Sequence, residues 1–417
     1  MFLPRDPLAA EAPALSHAPS LPNPRDAMAA RLPAAVQPLL TWLTAMPAPG
    51  ETRPDRPAAH FVAGALALVL GGVALGGVPF ALAAPPPLAW LLLLLGWLLT
   101  SSGLGLFQVV IFHHCSHGTV FSNRARNRQV GRMVSALLLF KRFDDYQREH
   151  MMHHSAKKLL TEEDEFADFV LGMCRLEPGL PKAELWQRVA LITVSPAFHL
   201  RFLLRRIQAS LFTGDRGHDW MGRAFWAGLL ALAAATGLLV ELLVLWVLPV
   251  TVLLQVATIY RILCEHRFPD AHVIALRDKQ FVCEATTGVF AGRPVPEARA
   301  GTPRGLAQWA LWWLNMLTVQ LFVRLFVLVG DAPCHDFHHR RPATRRWTSY
   351  IHARQQDAEA GSPGFPQGYT ACWGLFEAVD SNLATLAATA PATIGRRAAA
   401  GASPAQSASP SRAAAIP

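Results

Sequence analysis

Residues 88–117 read LAWLLLLLGWLLTSSGLGLFQVVIFHHCSH. Residues 88–112 of this stretch carry no charge, and they exceed the roughly 20 helical residues needed to cross a hydrocarbon core. Where the apolar run stops, His113, His114 and His117 begin. Residues three and four apart share a helix face, so His113 and His117 can aim their imidazoles at one point. The stretch therefore reads as a membrane helix that delivers histidines to one end of its span.

Upstream, residues 61–84 are long enough for a preceding crossing, and Pro85, Pro86 and Pro87 break the helix between the two. Downstream, Phe225 to Tyr260 holds a single charge, Glu241, and as one helix would measure about 54 Å. That is too long for one span, so it reads as two helices turning near Glu241, with Pro249 inside the second. Residues 59–110 and 225–260 contain no Lys or Arg, while 17 fall between 111 and 223 and 15 from 264 onward. The positive-inside rule makes the Arg-rich side cytoplasmic, with both termini there and the membrane read as a bacterial inner membrane. Two further apolar stretches, 190–206 and 306–330, carry Arg201, Arg205, Asn315 and Arg324 at intervals that suit helices lying in the headgroup plane.

The expected fold is therefore an all-α integral membrane protein. It has four transmembrane helices in two hairpins, interfacial helices and a cytoplasmic histidine-rich cap. Of the 417 residues 52% are apolar and 16% charged, with a net charge of +9, which excludes a disordered chain and an ordinary soluble enzyme. Residues 1–58 and 385–417, rich in Pro, Ala and Ser, read as disordered tails around a domain over 59–384. The six cysteines stand singly, so free thiols are expected rather than a disulfide framework.

Nine of the 16 histidines sit in three five-residue windows: HHCSH at 113–117, HMMHH at 150–154 and HDFHH at 335–339. Each can aim two or three imidazoles at one point, and each lies just past, or not far from, the end of an expected hairpin on the same side. His266, in the run RILCEHR after the last crossing, emerges at the same level. Imidazole suits Fe, Cu, Zn and Ni, so spacing alone does not name the metal. Eight or more histidines exceed the four ligands of one zinc and suit two octahedral ions. A zincin reading fails, because EHMMHH lacks a Glu directly after its first His.

This order of HxxxH after a hairpin, HxxHH some 30 residues on, a second hairpin and a final HxxHH resembles the membrane fatty acid desaturase superfamily, which includes hydroxylases and carotenoid ketolases. The resemblance covers about residues 60–355. It implies a non-haem di-iron centre, O2 as co-substrate and an aliphatic substrate in a tunnel beneath the metals. It makes His113, His117, His150, His153, His154, His335, His338 and His339 metal ligands, with His266 as a ninth. The chain departs from the commonest pattern at His114, where relatives often have Asp, and in the EHR context of His266. His114, Glu149, Glu265 and Asp336 stand as further ligands or as groups that orient imidazoles. The run Glu162, Glu163, Asp164, Glu165 reads as a solvated face.

The expected activity is insertion of a double bond into a fatty acyl chain. A hydroxylase, ketolase or oxidative decarboxylase of an aliphatic substrate is the alternative within the superfamily. A polytopic metal-handling protein is the alternative outside it, but such a protein should place ligands near the membrane midplane, and here only Glu241 lies inside an apolar run. The chain holds no iron–sulfur cysteine cluster and no GxGxxG fingerprint, so electrons are expected from a ferredoxin- or rubredoxin-like donor with its reductase. No nucleic-acid partner is expected.

Overall fold

The computed structural model describes residues 23–298, 301–391 and 393–394. Two long helices, α1 (Ala58–Ala81) and α2 (Pro87–Ser116), form the first hairpin, with the three prolines at its tip. Small residues let them touch along their backbones: a Cβ at Gly96 would meet the Gly72 carbonyl and the Gly76 Cα at 2.6 Å. With 30 residues α2 is about 45 Å long against a hydrocarbon core of about 30 Å, so its last turns stand beyond the lipid. Its backbone widens into a π-turn over Phe107–Phe112, directly ahead of His113. Such turns insert one residue into an α-helix and recur at functional sites.

Two polar helices follow, α3 (Arg124–Leu137), capped by the Asn123 side chain, and α4 (Phe143–His153), with Asp144 and Asp145 in its first turn. Helix α5 (Pro196–Leu211) starts on a Ser195 cap and a first-turn proline. It buries Phe198 and His199 while turning Leu200 and Leu204 outward, as an interfacial helix should. The second hairpin joins α6 (Arg216–Thr236) to α7 (Leu239–Glu265). Its tip lies at Gly237, held at φ 75°, where a residue without Cβ closes the helix end. The turn thus comes before Glu241, which sits in the first turn of α7.

Helices α1, α2, α7 and α8 (Pro303–Phe326) are long and apolar enough to cross a membrane. The set differs from the expected one by a single exchange. The first turns of α6 carry RGHDWMGR, so its apolar part starts only at Phe225. In α8, read as interfacial, the charge of Arg324 points inward: it donates to the Trp42 carbonyl at 3.0 Å, the Gly330 carbonyl at 3.1 Å and the Tyr350 hydroxyl. The outer face of α8 exposes Leu306, Leu311, Leu314 and Phe322.

Behind α8 the short helix α9 (His335–Arg340) carries the last histidine window. A two-stranded parallel ladder, β1 (Gly288–Phe290) with β2 (Ala371–Trp373), ties the segment after α7 to the C-terminal region. The only strands among the described residues, they are a small departure from the all-helical expectation. The tail boundaries also shift. Residues 24–44, expected to be disordered, form helices Pro24–Arg31 and Gln37–Thr44 whose Met28, Leu40 and Leu43 pack with Trp312 and Met316 of α8. The buried Arg25 binds Gln37, Thr41 and the Met46 carbonyl, which fixes this segment on the body. At the other end Leu375–Ala388 is one helix, and Ile394 is buried. The remaining tail residues, 1–22 and 395–417, lie outside the described ones.

Gly96→Val should force α1 and α2 apart at their closest approach, a cost of about 1–3 kcal/mol. A lower melting temperature of the purified variant in detergent is the expected outcome, and an unchanged one would show that the contact is dispensable.

Candidate metal centre

Nine imidazoles meet in the cap, in two groups whose candidate ligand atoms all lie within 4.8 Å of one another. His113, His117, His150, His154 and His338 make the first, and His153, His266, His335 and His339 the second. The helical repeat explains the division. In α4, His150 and His154 are one turn apart and share a face, while His153 is rotated about 100° away, toward the other group. In α9, His335 and His339 share a face and His338 is the one rotated. Each helix therefore lies between the groups and serves both.

Within the first group Nε2 of His338 is 2.7 Å from that of His113 and 3.0 Å from that of His154. His150 Nε2 in turn is 3.0 Å from both His154 and His117. In the second group His335 Nε2 is 3.0 Å from His266 and 3.1 Å from His339. A ring nitrogen has one in-plane site, either a proton or a lone pair, so it cannot serve two such neighbours by hydrogen bonding. The spacing is that of a coordination shell. With metal–nitrogen bonds of about 2.1 Å, ligands at right angles are about 3.0 Å apart and tetrahedral ones about 3.4 Å. Burial, together with the neighbouring imidazoles, keeps His117, His150, His154, His266, His335, His338 and His339 well below the ordinary histidine range. They are neutral, with lone pairs free to bind a cation, so the residues fit two metal ions of octahedral preference.

A cavity of about 300 Å³ lies against six of these imidazoles and runs between α5 and α7, walled by Phe112, Phe140, Phe166, Phe169 and Phe202. A family model described as Fatty acid desaturase matches residues 88–321, more than half of the chain. The chain belongs to the fatty acid desaturase family. No curated protein matches it. Membership brings oxidoreductase activity, a lipid substrate and a membrane setting, and the histidine groups are where metal chemistry can take place. The match takes in the first two windows and His266 and ends before His335. The third window joins the site through its geometry.

The carboxylates that hold the imidazoles of this desaturase-family chain are not those the sequence put forward. Glu149 pairs with Lys141, Glu265 with Arg261 at 3.2 Å and Asp336 with Arg354 at 2.6 Å, and none of the three bonds an imidazole. Instead Asp164, from the run read as solvated, lies 2.8 Å from His153 Nδ1 and also accepts from the amides of Leu160 and Phe166. Burial opposes the charge of both groups, yet their proximity prevails: Asp164 is held below the usual carboxylate range and His153 is pushed up. Its neighbour Glu165 stands 3.8 Å from His150 Nδ1. Tyr146, stacked on His150, places its hydroxyl 3.3 Å from His113 Nδ1. His114 turns Nε2 to Asp331 at 2.6 Å and stacks on Trp347; with Asp331 and His338 it makes a third set of candidate ligands, which overlaps the first group at His338.

One signal could have marked Asp164: it precedes a short apolar helix, EFA, as an N-cap does. Asp331 stands one turn ahead of His335, a spacing that carries no signal by itself. The solitary His199, His218 and His352 lie outside both groups. His17 lies outside the described residues.

Asp164→Asn should loosen the second group, since such supporting carboxylates contribute about 10–100-fold in metal affinity. Metal per chain, measured by inductively coupled plasma mass spectrometry after dialysis against a weak chelator, should fall in the variant and hold in His352→Ala.

Proposed function

We propose that this chain is an O2-dependent di-iron oxidoreductase that introduces a double bond into a fatty acyl chain. The observation that carries the reading is the division of nine imidazoles into two groups at coordination spacing, beside a cavity with aromatic walls. His113, His117, His150, His154 and His338 would hold one iron and His153, His266, His335 and His339 the other. Bound there, the two irons supply the activation of O2 that removes hydrogen from an unactivated methylene. Two hydrogens leave adjacent carbons of the chain, two electrons and two protons arrive from outside, and O2 departs as two waters.

The protein's share is placement. Asp164 fixes the tautomer of His153 by taking its Nδ1 proton in a hydrogen bond, which leaves Nε2 for the metal. Tyr146 orients His113 in the same way. Phe112, Phe166 and Phe202 present apolar walls against which an aliphatic chain can pack. The metal-handling alternative loses support from this arrangement, because all nine histidines stand at or beyond helix ends rather than at mid-span.

The centre faces the cytoplasm with both termini, where the Lys and Arg are concentrated. In this reading α8 lies in the headgroup plane. Its Trp309 and Trp312 donate to the carbonyls of Ala298 and Arg293, in a non-helical segment that also carries Glu297. Hydrocarbon does not tolerate such backbone at the lipid surface. The chain moreover leaves the centre at His266 and returns to it at His335, which a single complete crossing between them would forbid. Electrons come from a separate ferredoxin- or rubredoxin-like donor.

Mass spectrometry of lipids and free acids from cells with and without the protein should show an added unsaturated species. His338→Ala should abolish it, and a product of unchanged saturation would overturn the desaturase assignment. Reporter fusions at residues 120 and 345 should both report the cytoplasm; a periplasmic signal at either would overturn the orientation. Purified protein should turn over repeatedly only when a reductase and small carrier are supplied.

A further inference from the structure

Three of the nine histidines ride on α9, and that helix cannot hold itself. It has six residues, too few to be stable alone, and no side chain caps its start. Asp336 and Arg340 stand one turn apart on a further face of it, and both are buried. Asp336 accepts from Arg354 of helix α10 (Tyr350–Glu359), from Nη2 at 2.6 Å and Nε at 2.9 Å. Arg340 is paired with no carboxylate among the described residues. Its Nη1 donates to the Ser362 hydroxyl at 2.8 Å and the Gln367 carbonyl at 2.7 Å, and its Nη2 to the Gly368 carbonyl at 2.9 Å.

All three acceptors belong to residues 362–370, which join α10 to β2 and supply no ligand to either group. The same segment closes on the other arginine, whose Nη2 donates to the Thr370 carbonyl at 3.0 Å. Tyr369 ties the two together: its ring centroid is 4.1 Å from the guanidinium carbon of Arg340 and 4.6 Å from that of Arg354. Its hydroxyl donates to Asp357 of α10 at 2.7 Å. A desolvated guanidinium over a ring gains about 2 kcal/mol. Burying a charge is costly unless its surroundings answer it, and for Arg340 the answer comes from the carbonyls and ring of this one segment. Were the segment to lift, the charge would be stranded inside, and α9 would have to turn to bring it to water. The segment and the helix therefore move together. The effect on the two groups is unequal, because α9 gives His335 and His339 to the group of four but only His338 to the group of five.

We propose that residues 362–370 are a strap that seats α9 at the metal centre, and that Tyr369 is a positioning residue on which the metal of the second group depends. This rests on the two-ion reading and adds to it a difference in how firmly the two ions are held. The first group keeps four of its five imidazoles when α9 shifts, whereas the second keeps two of its four.

The test needs no turnover. Full-length protein in detergent is stripped with a chelator, reloaded with ferrous iron in the absence of oxygen and passed through a sizing column, and iron per chain is measured in the folded peak. Wild type should hold two irons, Tyr369→Leu one, and Tyr369→Phe, which keeps the ring over both guanidiniums, two. Two irons in Tyr369→Leu would overturn the strap and spare the two-ion reading. Loss of both irons there would overturn it as well, since the segment would then serve the whole cap alike. Fewer than two in wild type would remove the two-ion reading and this inference together. Hydrogen exchange on the wild type decides the matter should Tyr369→Leu fail to fold. The amides of Ser362 and Phe365 donate to the carbonyls of Asp357 and Ser362 at 2.7 and 3.1 Å. Iron and strap favour the same seated helix, so loading should slow the exchange of these amides about tenfold. Equal rates with and without iron would overturn the strap.

Discussion

Lone pairs directed at one another, away from water, are what the rest of this structure has to sustain. Neighbouring ring nitrogens stand about 3 Å apart in the cap, and burial among one another holds most of the imidazoles neutral. Neutral nitrogens at that distance repel unless a cation lies among them. The scaffold must therefore be stiff enough to hold the arrangement. It achieves this by mounting the histidines on helix ends, by stacking Tyr146 and Trp347 on two of the rings, and by anchoring Asp164 through backbone amides.

The membrane supplies the other half of the stiffness. Because α2 and α7 are longer than the hydrocarbon is thick, their ends project into the cap as extensions of embedded rods. His113, His117 and His266 are thereby set relative to the bilayer, and the cavity, which His113 and His266 line, also takes in residues of the same helices.

Much of this was legible in the sequence because it follows from two periods. The apolar run lengths gave the hairpins, and the i, i+3, i+4 spacing of histidines gave eight residues that do converge, with His266 added by its place after the last crossing. The rest depended on contacts between distant segments. Asp164 and Glu149 look alike in sequence; only the fold shows that one faces His153 and the other Lys141. Arg324 reads as a charge turned to the headgroups until its partners, Trp42 and Tyr350, are seen to bring it inside. The segment 24–44 resembled a tail because its few apolar residues find their core on α8, a helix some 270 residues later.

The π-turn at Phe107–Phe112 carries a consequence for how the family's sequences can vary. An α-helix advances about 100° per residue, so an extra residue that is not taken up by a π-turn rotates everything that follows through more than a quarter circle. The π-turn takes up one such residue within a single wide turn. Removing a residue from 107–112 would let the turn relax to ordinary α geometry with the two flanks still in phase, so His113 and His117 would keep facing His150 and His338. A second added residue would have no wide turn left to absorb it and would rotate both histidines away. The stretch should therefore tolerate the loss of a residue better than the gain of one.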